Sequence, residues 1–323
     1  MHPNKKTLAG RRHFLGLIPA ALLAACGGHG DDGIVVVLDP TPSSPVSTGL
    51  LVYRTGSRIG VYDLALRRET LFAPQGVLID GTGVSVSRQR KIAVLENRNN
   101  FTYNLDTYDV EGTRVQERNF FAERTIVVGT AALSPDGRWS AVARNEPIDI
   151  FGPFTFRVHI FEMTVPESQA QHFFLTGYTD PVWAGNAGQL MARNIDDGTL
   201  HLFSALVFAD LGALPGVRVD DSRAGYDVSA DGRHVVFLRD GAVRMLDRND
   251  NTQWNALLVA SGTLTQPAFT PDGTALLAVW HRSTGEVVVL VPWLRGAPLQ
   301  VTEAMILTAI ATGQFDGRLS TAP

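Results

Sequence analysis

Short apolar runs separated by Asp-Gly turns follow one another along most of the chain. Asp-Gly between two alternating apolar runs predicts a β-hairpin, because a type I′ turn requires positive φ at both central residues. The string recurs with its flanking residues as SPDGR at 134–138, SADGR at 229–233, TPDG at 270–273 and FDGR at 315–318. Two weaker copies, at 87–90 and 184–186, fill the gaps. The pattern therefore predicts a repeat of hairpins.

A second series runs in step with the first. An aromatic or aliphatic residue followed by a short polar one ends a strand in each unit, and the polar members lie 42 to 53 residues apart. These pairs are Tyr62-Asp63, Tyr108-Asp109, Phe161-Glu162, Phe203-Ser204 and Leu246-Asp247, with the acid lost at Leu290-Val291. Two series with one period indicate a repeat architecture of about 46 residues per unit.

The repeat predicts an all-β fold, a six-bladed β-propeller of four-stranded antiparallel blades. Each unit has room for four strands, and the 275 residues from 49 to 323 divide into six units. The last Asp-Gly string has almost no chain after it, whereas residues 50–54 begin with the strand expected to follow such a turn. The C-terminal strand is thus predicted to close the ring by pairing with the first blade. The sequence also allows a degenerate seventh blade.

The strings SPDGR, an apolar strand and a Tyr-Asp strand end resemble the TolB-type propeller repeat, WSPDGxxIAF followed by IYxxD. The resemblance covers nearly all of residues 49–323. It implies the fold and leaves the function open, since such propellers serve in binding, scaffolding and catalysis. TolB has an α/β domain before its propeller and is a soluble periplasmic protein. This chain departs from it on both points, so membership of the Tol system is not implied.

The first 25 residues read as an export signal. Basic residues precede the apolar run 14–25, which at about 1.5 Å per residue is too short to span a membrane. Its end, Leu-Ala-Ala before Cys26, resembles a bacterial lipobox, so Cys26 is the predicted lipidation site. The RRHFL string resembles a twin-arginine signal, and export by the Sec route stays open. Its export residues are Arg11, Arg12, Phe14 and Leu15.

Residues 26–48 are predicted to be the lipidated cysteine and a flexible tether, because they are rich in Gly, Pro and Ser. No Asp follows Cys26, so the expected location is the outer membrane of a Gram-negative bacterium, facing the periplasm. The single cysteine excludes an internal disulfide and a multi-cysteine zinc site. A formal net charge of -4 gives no sign of a nucleic-acid partner. The lipid anchor is the only expected membrane contact.

Arginines recur where the second strand of a blade ends, and these ends share one face of a propeller. Two roles are open for them: a cationic ring that binds a carboxylate or an acidic segment, or contacts that join neighbouring blades. Equivalent positions hold Glu96, Trp280 and His281. The arginines are Arg54, Arg144, Arg193 and Arg239.

Two loops on the same face are predicted to be longer, at residues 96–103 and 144–156. The second carries Phe151, Phe154 and Phe156 around a Gly-Pro. Aromatic residues with polar neighbours suit a protein contact, and they could equally fold back as a small core. These three residues are candidate binding residues.

Catalysis has little support in the sequence, and no catalytic residue, cofactor or metal ligand is predicted. No GxSxG or HExxH string occurs. The histidines are scattered, one or two per blade, which leaves open a metal ion in the channel. Residues 247–251 begin like a calcium loop, but Thr252 stands where glycine is needed and no Glu closes the loop.

The sequence thus favours a monomeric, non-enzymatic envelope lipoprotein whose propeller binds an envelope protein. Two alternatives remain open. One is a periplasmic hydrolase or lyase acting at the central channel, which would require a cluster of His, Asp or Glu there. The other is the binding of a small ligand or sugar in the channel, which would require an open, lined pocket.

Overall fold

The structure, a computed structural model, describes residues 47–79, 82–99, 102–121, 126–147, 153–185, 188–205, 207–220, 225–307, 310 and 315–323. All the regular elements are strands apart from two short 3-10 turns, Glu167–Gln169 and Glu303–Met305. The strands are β1 (Leu50–Thr55), β2 (Arg58–Asp63), β3 (Arg68–Phe72), β4 (Val77–Leu78), β5 (Val84–Val86), β6 (Ile92–Asn99), β7 (Thr102–Tyr108), β8 (Arg114–Phe121), β9 (Ile126–Leu133), β10 (Trp139–Pro147), β11 (Phe154–Glu162), β12 (His172–Thr176), β13 (Tyr178–Trp183), β14 (Gln189–Asn194), β15 (Thr199–Ser204), β16 (Asp210–Arg218), β17 (Tyr226–Val228), β18 (His234–Arg239), β19 (Ala242–Asp247), β20 (Thr252–Leu258), β21 (Thr263–Phe269), β22 (Ala275–Arg282), β23 (Gly285–Pro292), β24 (Leu299–Gln300) and β25 (Phe315–Ala322).

The strands form six antiparallel sheets, which confirms the predicted six-bladed propeller. The first blade has the order β25-β1-β2-β3, and the next four begin from the inside with β4 and β5 together, β9, β13 and β17. In the second blade, β4 and β5 pair with different parts of β6. The sixth blade is built on β21-β22-β23, with an isolated bridge from Val289 to Ile306 beyond β23. β24 pairs in parallel with β20 of the fifth blade.

Ring closure occurs as predicted, by pairing the last strand with the first. β25 lies antiparallel to β1, from Leu50 opposite Ala322 to Thr55 opposite Phe315. The innermost strands contact one another in the cyclic order β25, β5, β9, β13, β17, β21 and back to β25. β25 and β13 therefore stand on opposite sides of the channel. Each innermost strand is still an edge of its own sheet, and this cyclic contact protects it.

The apolar core lies between neighbouring blades. The first two blades illustrate the arrangement, since Val52 and Ile59 of the first blade pack against Val84 and Val94 of the second. Residues that alternate along a strand face opposite sides of the sheet, so each middle blade packs against two neighbours. The continuous apolar runs of the sequence, such as residues 50–53 and 275–280, reflect this burial on both faces of the sheet.

The Asp-Gly strings form a turn that side chains stabilise. Ser134 Oγ lies 2.5 Å from an Asp136 carboxylate oxygen and accepts a hydrogen bond from Trp139 N at 2.8 Å. Asp136 also accepts a bond from Arg138 N at 3.0 Å. The same contacts recur in the turns beginning at Ser229 and Thr270. The repeat thus encodes a hydrogen-bonded turn of the Asx type.

The predicted type I′ geometry is wrong for these turns. Gly137 has φ 69°, but Asp136 is not among the described residues with positive φ. Gly137 N bonds to Ser134 O at 2.8 Å and Ser134 N bonds to Trp139 O at 2.8 Å. The loop is therefore longer than two residues, and only its glycine is left-handed.

The Asp-Gly turns and the strand-end acids recur with the same period because their side chains pair within a blade. Arg138 of the turn contacts Glu162 at the end of β11, with nitrogen and oxygen 3.1 Å apart. Arg233 pairs in the same way with Asp247, which ends β19, at 2.6 Å. This contact explains why an acid ending the third strand accompanies an arginine after the Asp-Gly pair.

The last Asp-Gly string is not a turn, contrary to expectation. Asp316, Gly317 and Arg318 lie inside β25, where the pairing with β1 is interrupted by a β-bulge. Gly317 has φ 70°, matching the positive φ of Asp180 in β13 and Gln266 in β21, whose pairing is interrupted in the same way. Glycine there serves a bulge in an innermost strand rather than a hairpin.

Candidate functional site

Three of the predicted arginines, Arg54, Arg193 and Arg239, lie at or next to the end of the second strand of their blade. Arg144 lies inside β10, which continues to Pro147. All four except Arg239 are buried. Arg54 is 5% exposed and donates to the carbonyl oxygens of Ile79 and Thr82, the latter at 2.9 Å. Arg193 donates to Val219 O at 3.4 Å. These acceptors lie on the segments that lead into the next blade. The contacts favour a role in joining blades.

The other two arginines are held within or beside their own blade. Arg144 lies 3.5 Å from Glu146 on β10, and burial lowers the pKa of its guanidinium. Arg239 is half-buried, lies 3.5 Å from Asp240 and donates to Gly216 O at 3.3 Å. None of these contacts tests whether the arginines also bind an anion.

The two expected long loops are largely extensions of strands. Residues 96–99 belong to β6 and residues 144–147 to β10, because their backbone groups pair with β7 and β11. Phe154, at the start of β11, is 58% exposed, whereas Phe156 is half-buried. Phe151 lies outside the described residues. So do Arg11, Arg12, Phe14, Leu15 and Cys26, and their assignments stay predictions.

The histidines form local hydrogen-bond chains within single blades. His159 lies between His172, at 2.8 Å, and Glu146, at 3.0 Å, and burial lowers its pKa to about 4. In the sixth blade, His281 Nε2 lies 2.6 Å from Thr265 Oγ1 and Nδ1 lies 3.0 Å from Glu286. These last distances match a hydroxyl activated by a histidine, and they also join three neighbouring strands.

Metal binding and membrane spanning find no support in the described part of the chain. No group of three or more His, Cys, Asp or Glu side chains described by the structure is placed to hold a metal ion. Among the same residues, no helix has the length and apolar character needed to cross a bilayer.

The channel contains a cavity of about 120 Å³ at the end where the Asp-Gly turns lie. Turn residues of three blades, Pro135, Ala230 and Pro271, form part of its wall. This end is opposite to the face on which the arginines and Phe154 were predicted to bind. The charged side chains of the lining are those of Arg88, Asp227 and Arg318, two cations and one carboxyl group.

Arg318 crosses the channel at the cavity. It starts from the bulge of β25, and its Nη1 donates to Pro181 O of β13 on the opposite side, at 2.9 Å. Its guanidinium carbon lies 5.5 Å from the centre of the Tyr226 ring. Tyr226 is itself fixed by a hydrogen bond to the carbonyl of Asp180, and burial raises the pKa of its hydroxyl. The cation is therefore held by a carbonyl and a ring.

Asp227 is the carboxyl group beside this cation. Burial raises its pKa to about 6, against the lowering effect of the Phe269 N–H and of Arg318. The Phe269 N–H donates to Asp227 Oδ2 at 2.9 Å, which links the fifth blade to the sixth. Charge on this carboxyl group therefore changes near pH 6.

The position of Asp227 recurs in other blades as serine. Ser320 Oγ accepts from Val86 N and Ser85 Oγ accepts from Leu133 N, both at 3.0 Å. Each bond joins an innermost strand to that of the next blade. Three of the six junctions between innermost strands thus carry this inter-blade hydrogen bond, and at one of them the acceptor is ionisable.

Comparison with solved structures supports this architecture. The chain shares its fold with TolB. It resembles the crystal structure of TolB from Acinetobacter baumannii with a TM-score of 0.55 and 13% sequence identity, covering 87% of this chain and 68% of that one. At this identity the likeness shows the fold alone, and it supports the resemblance inferred from the TolB-type repeat.

Two further propellers give lower scores. The β-propeller domain of Cps50 (Swd1) from Myceliophteria thermophila has a TM-score of 0.49 and 16% identity, covering 81% of this chain and 92% of that one. U3-55K has a TM-score of 0.47 and 15% identity, covering 67% and 61%. No family model and no curated protein matches the sequence.

Sequence reasoning missed Arg318, Asp227 and Tyr226. Arg318 belongs to a string that was read as a turn, so its side chain was not expected in the channel. Asp227 lies two residues before the SADGR turn. Ser85 and Ser320 are the equivalent residues of their own blades. An aligned comparison of the repeats at that position could have identified the acid as exceptional.

Proposed function

We propose that this protein is a non-enzymatic, protein-binding propeller of the bacterial envelope. A closed ring of blades provides a rigid support, and binding takes place on the face where the second and third strands are joined. The partner is an envelope protein. The N-terminal lipobox and Cys26 would hold the protein at the outer membrane, and residues 26–48 would give it reach.

One observation carries the proposal, the length of β10 and β11 together with the exposure of Phe154 at the start of β11. These strands have nine residues each, whereas β22 and β23 have eight and β14, β15, β18 and β19 have six. Three more residues extend a strand by about 10 Å. Phe154 near the tip is 58% exposed, although the end of the strand at Val158 and Ile160 is buried. An exposed aromatic residue on an extended strand suits an interface centre.

Site-specific photocrosslinking in the envelope tests this proposal. A photoreactive phenylalanine analogue replaces Phe154 in the full chain, expressed in a Gram-negative host related to its source. We expect one discrete adduct with an envelope protein, identified by mass spectrometry. The substitution Phe154→Ser should weaken recovery of that partner about tenfold, because an interface aromatic contributes roughly 1–3 kcal/mol.

The matched control places the same analogue at Leu66. This residue is 67% exposed, lies in the β2–β3 turn and faces the other end of the propeller. An adduct from Leu66 with the same protein, or none from Phe154 while the protein is folded, would contradict the proposal. Fractionation of Cys26→Ala should find the protein in the soluble fraction, because the lipid is attached only there.

A further inference from the structure

We propose that the cavity at the Asp-Gly end of the channel binds a small carboxylate through Arg318. The proposal concerns the other end of the propeller from Phe154 and does not depend on the protein partner. It rests on three observations: the burial of Arg318, the lack of a carboxylate within 4 Å of it among the described residues, and the cavity that it lines.

Arg318 differs from two other buried arginines, Arg54 and Arg144, in having no carboxylate within 4 Å in the described part of the chain. It is 6% exposed, comparable to Arg54 and Arg144, but each of those has a carboxylate within 4 Å, at 3.6 and 3.5 Å. Within the described part of the chain, Arg318 makes no such ion pair, and its buried Nε has no hydrogen-bond partner. Asp227 acts on Arg318 only from beyond 4 Å. A buried cation without a close counter-ion is costly. An anion that entered the cavity would remove that cost.

The surroundings of Arg318 favour a carboxylate. Arg88 at the mouth adds a second positive charge, so the cationic side chains of the lining outnumber its one acidic side chain, Asp227. The planar guanidinium matches the planar carboxylate with two parallel donors. Leu133, Val228 and Phe269 supply an apolar wall for a short hydrocarbon chain.

The size of the cavity limits the ligand. Its volume of about 120 Å³ is well above the ~10–15 Å³ that one water requires, but it is small for a sugar or a nucleotide. A carboxylate with a few carbon atoms fits this description. The same group could come from a free solute or from a glutamate side chain on a peptide, and the experiment separates these two sources.

Calorimetry and ligand-observed NMR on the full chain test the proposal with butyrate as the probe. We expect saturable binding of butyrate and none of butanamide, which has the same shape without the charge. Arg318→Gln should weaken binding about tenfold or more, since hydrogen bonds to charged groups are the strong ones. Arg318→Lys should bind with intermediate affinity, because it keeps the charge and loses the paired donors.

Two matched variants keep the test independent of folding. Arg88→Gln removes an exposed cation at the mouth and should change the affinity less than Arg318→Gln does. Asp227→Asn should tighten binding at pH 7.5, because it removes the negative charge from the wall. Thermal melts identify any variant that does not fold. If Arg318→Gln is such a variant, the affinity of Asp227→Asn gives the deciding result.

The outcomes divide clearly. Tighter binding of an acetylated glutamyl peptide than of butyrate would assign the carboxylate to a partner chain, and the reverse would assign it to a solute. Phosphate that competes as well as butyrate would show a site for anions in general and overturn the carboxylate assignment. If neither butyrate nor the glutamyl peptide binds, the proposed site is wrong. It is also wrong if a folded Arg318→Gln variant binds butyrate with unchanged affinity.

Discussion

Asp227 occupies, in the fifth blade, the position that serine occupies in two others. Ser85 and Ser320 accept the backbone N–H of the next innermost strand with a neutral hydroxyl, and Asp227 does so with a carboxyl group. Burial raises its pKa to about 6, whereas an unfolded aspartic acid titrates near 3.9. The folded protein therefore holds this proton over a pH range in which the unfolded chain has lost it.

Asp227 is expected to lower the stability of the protein as the pH rises. Between about pH 4 and pH 6 the folded state binds more protons than the unfolded state, so the free energy of unfolding falls with increasing pH. Asp227→Asn keeps an acceptor for Phe269 N and removes the charge. We expect the variant to be more stable than the wild type at pH 7.5, by about 1–2 kcal/mol.

Urea unfolding at pH 4.5 and pH 7.5 measures this difference. The stabilisation should shrink at the lower pH, where the wild-type carboxyl group is largely protonated in the folded state. Ser85→Ala, which removes a neutral acceptor at the equivalent position, serves as the control and should show no pH-dependent difference from the wild type. A constant effect of Asp227→Asn at both pH values would contradict the assigned pKa shift.

At the scale of elements, the innermost strand of the first blade depends on a bulge. Gly317 has φ 70° and lies so close to β5 that an added Cβ would stand 2.2 Å from the Cα of Gly83. Three residues of β25, from 317 to 319, oppose the single residue Tyr53 of β1. The bulge places Arg318 in the channel.

Gly317→Ala should therefore destabilise the protein more than its backbone angle alone requires. Gly296 is a suitable reference, because its φ is 72° and nothing lies within 4 Å of its added Cβ. We expect Gly296→Ala to cost about 1 kcal/mol for the left-handed backbone. The cost of Gly317→Ala should reach about 3 kcal/mol or more, since backbone atoms cannot move aside easily.

Chemical denaturation of both variants provides the comparison. Similar losses of unfolding free energy at the two glycines would show that β5 adjusts to the methyl group. The close packing of Gly317 would then not add to the cost of the substitution. Retained affinity of Gly317→Ala for butyrate would further indicate that the bulge is not needed to position Arg318.

The repeat predicted the elements well because local side-chain bonds maintain it. Ser134, Asp136 and Arg138 act within one turn and one blade, so their spacing is visible in the sequence. The channel was not predictable in the same way. Arg318 and Pro181 come from blades on opposite sides of the ring, and the letters Asp-Gly-Arg read alike in a turn and in a bulge. The contact between Arg318 and Pro181 depends on ring closure, and no spacing within one repeat indicates it.

At the scale of the whole molecule, stability depends on the strand that closes the ring. β25 contacts β1 in its own blade, and it also contacts β5 and β21 in the blades on either side. Its buried Phe315 and Leu319 belong to the core between the first and sixth blades. Removal of β25 would expose that core and leave β1 with a free inner edge.

Truncation before residue 315 should abolish cooperative unfolding, as followed by near-UV circular dichroism and calorimetry. A circular permutant provides the control. It joins residue 323 to residue 47 through a short linker and opens the exposed turn between Ser283 and Thr284. This permutant should fold, because Ala322 and Leu50 are already paired neighbours and the new ends lie on the surface. A folded truncation, or an unfolded permutant with β25 present, would contradict the role assigned to closure.

Synthesis of the chain on the ribosome gives this closure a further consequence. β1, β2 and β3 are the first strands of the propeller to emerge, but β25, which completes their sheet, begins at Phe315, about 240 residues after β3 ends at Phe72. The oldest blade is therefore the last to be finished. Throughout elongation, β1 presents an unpaired edge on which another nascent chain could assemble, so the protein is most exposed to mispairing in the moments before its final strand is released.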